Sequence, residues 1–329
     1  MDRIVILGNG FDLAHELETS YNHFIKYVIN ESINSNDEIR KDLIDPSYLN
    51  DEDCTYEAIK SKLNQLSSAS EKPSSGRLFF KNKFFRALLT TYFHADWINI
   101  EDYYFRYLQN ISDINVLNSE FELVKKHLEK YLLIQMKEFD KKNYNSKLID
   151  IFDMDSPENI LFINFNYTST LNLYLDKITY PSNITVINIH GELNSEKNPI
   201  VFGYGDDTNP KYLDLVNKKN NHYLRNLKRQ QYNLTVEYDK MKEIMSNMNN
   251  EIEVLTMGHS LGLSDKTLLK EIFDHNKVSK IKFIYHEGIS GYRNLNDNIS
   301  RIVNRNTLNN KIVNFPNSIK MPQQPIKAG

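Results

Sequence analysis

Ile4-Val5-Ile6-Leu7 runs straight into Gly8-Asn9-Gly10, and this junction limits the folds open to the chain more than any other feature. A continuous apolar run rich in β-branched residues fits a strand buried on both faces, as in a parallel sheet. The glycines end it, and Phe11 to Leu17 follows a helical pattern. Strand, glycine turn and helix is how α/β folds bring backbone N–H groups up to a phosphate. One glycine suits the tight turn, and the other leaves room for a diphosphate where a Cβ would block it. A G-x-G without the third glycine fits a plain strand-to-helix turn equally well.

The totals narrow the function classes. The chain has 329 residues, 40% of them hydrophobic, which is ample for a large core carrying an insertion. Lysine and arginine number 40 against 43 acidic residues, a net charge of -3, so nothing calls for nucleic acid or an anionic membrane. The one cysteine, Cys54, excludes an internal disulfide and a cysteine-based zinc site, and it fits a reducing cytoplasm. The first apolar run spans only about four to five residues, so it is a strand and not a signal sequence. No stretch approaches the roughly 18 apolar residues of a membrane span.

Along the chain, Thr19 or Ser20 caps a helix whose stripe is Phe24, Tyr27 and Val28. His15 and His23 lack a partner at ligand spacing and read as helix-surface or rim residues. Residues 31–76 are polar, with a serine-rich flexible segment at Ser67, Ser68, Ser70, Ser74 and Ser75. Residues 77–150 read as helical. Phe79, Phe80, Phe84, Phe85, Leu88 and Leu89 form one apolar face, and a second helix runs from Asn118 to Phe139. Glu101 and Asp102 between them suit the first turn of a helix. Strands resume only afterwards, so residues 31–150 read as a helical insertion within a domain of residues 1–315. A second strand, Ile160 to Thr168, starts apolar and ends polar. If it continues that far, Asn164, Asn166 and Thr168 share a face. A third strand, Ile184–Ile189, runs into His190-Gly191, where a histidine is well placed for proton work. A fourth, Ile200–Phe202, meets Gly203-Tyr204-Gly205-Asp206-Asp207. Lys218, Lys219, Arg225, Lys228 and Arg229 read as a solvated basic helix face. A fifth strand, Glu253–Met257, enters Gly258-His259-Ser260-Leu261-Gly262, with Ser264 or Asp265 capping the next helix. The letters G-x-S-x-G also match a hydrolase nucleophile elbow. A sixth strand, Ile281–His286, a helix from Leu295 to Val303 and an irregular tail from Asn314 complete the chain.

These pieces, in this order, resemble the AbiH family of phage abortive-infection proteins. The resemblance rests on Leu7 to His15, Ser20-Tyr21, Trp97 with Glu101, Asn164 to Thr168, and Ile189-His190-Gly191. Phe202 to Asp206 and Gly258 to Leu261 complete it. AbiH proteins in turn resemble the zinc-free branch of the sirtuin-like NAD-binding fold. The resemblance implies a Rossmann-like α/β parallel sheet and hydrolysis of NAD to nicotinamide and ADP-ribose without a metal. It implies that Asn166 positions the ribose and water and that His190 accepts a proton. Around them, Gly8, Asn9, Gly10, Phe11 and Asp12 would hold the diphosphate side. Asn164, Thr168, Gly203, Gly258, His259 and Ser260 would complete the NAD site. Thr168 departs from the Asp that sirtuin deacetylases carry there, which argues against deacetylation. A cytoplasmic homo-oligomer, or a complex with a defence partner protein, is expected. Two other readings stay open: a nucleotide-sensing or partner-binding module without turnover, and a serine hydrolase built on Ser260 with His190 or His286.

Overall fold

The computed structural model describes residues 1–47, 49, 55–64, 69–70, 78–95, 99–139, 144–304, 308 and 310–323. Cys54, Trp97, Ser67, Ser68, Ser74 and Ser75 lie outside them. The chain divides into two compact units: Met1–Glu18 with Gln135–Leu213 and Leu227–Gly329, and Thr19–Ile134 with Asp214–Asn226.

The first unit is built on six parallel strands: β1 (Asp2–Leu7), β2 (Asn159–Asn164), β3 (Asn183–Asn188), β4 (Ile252–Met257), β5 (Val278–Tyr285) and β6 (Ile319–Lys320). Their order is β3-β2-β1-β4-β5-β6, with β1 paired to β2 from Arg3↔Ile160 to Leu7↔Asn164 and to β4 from Asp2↔Ile252 to Leu7↔Met257. This is the order of a Rossmann sheet. The chain fills one side of β1, then returns across it to fill the other. β1 and β4 therefore flank the switch point, where the loops leaving the strands diverge.

Both faces of β1 are buried, which is why its sequence is an unbroken apolar run. Ile4 and Ile6 pack with Ile163, Val254 and Phe283 beneath Met241, Leu269 and Ile299. Val5 and Leu7 pack with Phe162 and Met257 against Phe11, Phe152 and Tyr174. At the other end of the strand, Arg3 is fully buried and bonds Glu253 Oε2 at 2.6 Å. It also donates to the Phe152 carbonyl at 2.7 Å, at the end of the helix Ser146–Asp153. A cation there complements the helix dipole and ties the helix to the sheet.

Several boundaries differ from the sequence reading. The second strand stops at Asn164, so Asn166 and Thr168 lie on a turn and do not continue a strand face. Ile200–Phe202 is not a strand: the backbone of Phe202 bonds the side-chain amide of Gln231 at 3.1 Å and 2.9 Å. The tail read as irregular supplies β6, where Ile319 pairs with Ile284. His15 is buried, with Nδ1 2.7 Å from the Phe11 carbonyl.

The second unit is mainly helical, with a three-stranded sheet of Ile44–Asp45, Leu78–Phe80 and Ala69–Ser70. Phe79 and Phe80 thus sit on a strand. Asn82 ends that segment and caps the helix Lys83–Ala95, accepting from Phe85 N at 2.7 Å. Phe84 is fully buried and meets Tyr104 and Phe121 edge-on. Ser20 caps the helix Tyr21–Ile33, and Asn99 caps Ile100–Leu108, with Glu101 and Asp102 in its first turn. No described helix is long and apolar enough to cross a membrane.

Candidate functional site

The carboxyl ends of β1, β2, β3 and β4 converge, and their loops carry nearly all the polar residues singled out above. At the switch point the two glycine loops meet backbone to backbone. Gly8 N–H donates to the Met257 carbonyl at 3.0 Å, and Gly10 N–H to the Gly258 carbonyl at 2.8 Å. A Cβ on Gly8 would lie 2.5 Å from His259 Cα, and one on Gly10 2.8 Å from Gly258 Cα. Gly258 has φ +70°, and a Cβ on it would lie 2.1 Å from Phe11 N. The room these glycines leave is filled by the protein's own loops. Phe11 N–H returns to Gly8 O at 2.8 Å, and the Phe11 ring packs among His15 and Tyr174 in the core.

Asp12 follows one residue later. It is 1% exposed; Oδ2 accepts Thr168 Oγ1–H at 2.7 Å, while Oδ1 is buried without a hydrogen-bond partner among the described residues. Burial pushes its carboxyl up to about 6 against the pull of the Thr168 and Thr170 hydroxyls. The turn after β2 is wired around the same spot. Asn164 Nδ2 donates to Asn188 Oδ1 at 2.9 Å, and Asn164 Oδ1 accepts Asn166 N at 3.1 Å. Asn166 Nδ2 donates to Gly8 O at 3.1 Å, joining the β2 turn to the β1 loop. Asn9 is half-buried on that loop.

His190 leaves β3 into a turn that Gly191 permits, with φ +85° and no room for a Cβ beside the Pro199 carbonyl. Its ring is buried between Tyr167 and Tyr232, with Phe165 edge-on at 4.9 Å. Its Nε2 lies 3.1 Å from both Tyr232 Oη and Asp265 Oδ1. Asp265 Oδ1 also takes Lys228 Nζ at 2.6 Å, and its Oδ2 is 3.6 Å from His259 Nε2. Lys228 is fully buried, so it is not part of the solvated basic face its sequence neighbours suggest. The Lys228 ammonium and the two histidines hold the Asp265 carboxyl well below the usual range, although burial opposes them. Burial lowers both histidines, His259 to about 4, so both rings are neutral at pH 7.

Asp265 and Lys228 are the residues that sequence reading missed. Asp265 looked like a helix cap, and nothing in the chain relates it to a lysine 37 positions away. The second glycine turn helps place it. A Cβ on Gly205 would lie 2.6 Å from Ser264 O, and Thr267 N–H donates to the Gly205 carbonyl at 3.1 Å. Gly203 is buried in the same turn. Asp206 and Asp207 bond the protein's own Thr208 and Thr267 hydroxyls. Ser260 is exposed, and among the described residues its hydrogen bond is from Asn298 Nδ2 to its carbonyl at 2.8 Å. His286 is exposed beside Glu287. Among the described residues no His, Cys, Asp and Glu group is arranged to hold a metal ion. The Lys228 ammonium occupies the carboxylate that two histidines would otherwise share with one. At the amino ends of β2 and β3, a groove of about 260 Å³ runs past Glu158, Asn159, Asn183 and Asn250.

The sequence model of the family described as Bacteriophage abortive infection AbiH matches residues 4–286. That span takes in the glycine loop, the β2 turn, His190 and Asp265. No curated protein matches the chain.

Proposed function

The chain belongs to the AbiH family, a family of bacteriophage abortive infection, and we propose that its first unit hydrolyses NAD to nicotinamide and ADP-ribose. The observation that carries this reading is the gathering of Asn166, His190 and the Gly8–Gly10 loop at the carboxyl ends of β1, β2 and β3, beside the switch point. Nucleotides bind open α/β sheets at that crevice. Buried amides next to a buried histidine that is lowered towards its neutral form suit glycosidic cleavage.

In that reaction the bond between C1′ of the ribose and the nicotinamide nitrogen breaks, and its electron pair leaves with nicotinamide. Water adds at C1′ and gives up a proton. Asn166 positions the ribose and the water, and His190 takes the proton. Gly8 to Asp12, Asn164, Thr168, Gly203 and the Gly258–Ser260 loop line the NAD site. A toxin of this kind needs an inactive resting state, released by a second copy of the chain or by a defence partner.

One observation favours a sensing module instead. The N–H groups of Gly8 and Gly10 and Nε2 of His190 already have partners within the protein. The two readings separate in one experiment. Wild type and His190→Ala are incubated with NAD while nicotinamide release and NAD binding are followed. Release by wild type, reduced about 10²–10⁴-fold in the variant, is the expected result. Binding by both without release favours the sensor or an enzyme still waiting for its partner, and neither binding nor release overturns the nucleotide site.

A further inference from the structure

The Asp265 carboxylate joins groups from three separate parts of the unit: His190 after β3, His259 after β4, and Lys228 on the helix Lys228–Tyr232. Capping the next helix does not require that: as the N-cap of Lys266–Asp274, its side chain makes no capping hydrogen bond. We propose that Asp265 is the positioning residue of the site, holding the proton of each histidine on Nε2, so that Nδ1 of His190 is the proton-accepting atom.

For His259 the tautomer follows from its neighbours. Nδ1 accepts Leu261 N–H at 2.9 Å, so Nδ1 carries no proton in the neutral ring and Nε2 carries it towards Asp265 Oδ2. Beside Nε2 of His190 stand the Tyr232 hydroxyl and the Asp265 carboxylate, each at 3.1 Å. A carboxylate is the stronger acceptor because its bond is charge-assisted. Lys228 keeps it ionised, and the Tyr232 hydroxyl turns to accept or donate as the ring requires. The neutral His190 therefore carries its proton on Nε2, with the lone pair on Nδ1. When Nδ1 takes a proton, Asp265 faces the imidazolium. The charged and titratable groups around the ring are Asp265, Lys228 and His259, with the Tyr232 and Tyr167 rings on its faces. An orienting carboxylate on one ring nitrogen is what makes the other a usable base, and an amide of the same shape removes that control.

The catalytic consequence rests on the glycohydrolase reading, whereas the tautomers do not. The full chain is labelled with ¹⁵N-histidine, and long-range ¹H–¹⁵N correlations at pH 7 read the tautomer of each ring. His190→Gln and His259→Gln assign the signals. Nε2–H on both rings in wild type is expected, with a growing Nδ1–H population on His190 in Asp265→Asn. In the nicotinamide assay Asp265→Asn lowers kcat about 10²–10⁴-fold with KM for NAD unchanged. A wild-type His190 protonated on Nδ1, or an Asp265→Asn protein with the wild-type tautomer, overturns the proposal. The wild-type spectrum decides even if the variant does not fold. The expected tautomers with neither NAD binding nor nicotinamide release would support Asp265 as the positioning residue and overturn the glycohydrolase.

Discussion

Asp12 has a buried carboxyl with one oxygen on Thr168 and the other without a hydrogen-bond partner among the described residues. Its carboxyl is raised from 3.8 to about 6, so the folded protein binds a proton there that the unfolded chain has already lost. The sign follows from linkage. Between about pH 4 and pH 6 the native state holds more protons, so this group lowers stability as pH rises. A two-unit shift corresponds to a penalty on the order of 3 kcal/mol once the group is ionised. Asp12→Asn is expected to stabilise the first unit at pH 7.5 and to lose most of that advantage at pH 4. Urea denaturation of both proteins at the two pH values checks it. An equal difference at both would show that the carboxyl ionises freely. At this scale the sequence named Asn166 and His190 because each follows a strand, and Asp12 through the family resemblance. It did not name Lys228, whose burial depends on an aspartate from another part of the chain.

The loop leaving β4 shows why a glycine's position and its reason are separate questions. Gly8, Gly10 and Gly258 were legible as glycines ending strands. The expected reason was space for a diphosphate, while the structure fills the same space with the facing loop. Gly258→Ala puts a Cβ onto Phe11 N at a left-handed backbone angle. It should cost about 2–5 kcal/mol from the two effects together. Gly288 makes an internal control: its φ is +61°, but a Cβ there meets nothing within 4 Å. Gly288→Ala should cost about 1–2 kcal/mol from the backbone alone. Thermal or urea denaturation of the pair tests the ranking, and equal losses would remove the close contact as the cause. The errors of element type share a local cause. Ile200–Phe202 is apolar enough for a strand, yet the Gln231 side chain takes the Phe202 backbone and the Tyr167 hydroxyl the Val201 carbonyl. Phe79 and Phe80 continue a helical spacing, yet Asn82 stops the helix and leaves them to pair with Ile44 and Asp45. Periodicity does not register a side chain from elsewhere that takes a backbone group.

For the whole chain, acid acts in part through the buried histidines. His259 is lowered from 6.5 to about 4, and His190 is lowered as well. Both must stay neutral in the folded state, whereas the unfolded chain protonates them below about 6.5. Their contribution is present above that value and lost as pH falls towards 4. Asp12 opposes this over part of the range, but burial lowers His15, His127 and His275 as well. Stability should therefore fall from pH 7 to pH 4.5, and more steeply in Asp12→Asn. A flat profile in urea denaturation would place the two histidines in contact with water. The sequence by itself determined the parallel strands, the glycine loop between the first strand and the first helix, and which strand ends carry polar groups. Those follow from local patterning: apolar runs, glycine breaks and capping residues act over a few positions. Only the tertiary structure decided the β3-β2-β1-β4-β5-β6 order. It also decided the meeting of the Gly8–Gly10 loop with Gly258, and the closing of Lys228, His190 and His259 on Asp265. Those depend on which distant segments share a buried volume, where an unpaired charge is too costly to leave and must find its partner across the fold.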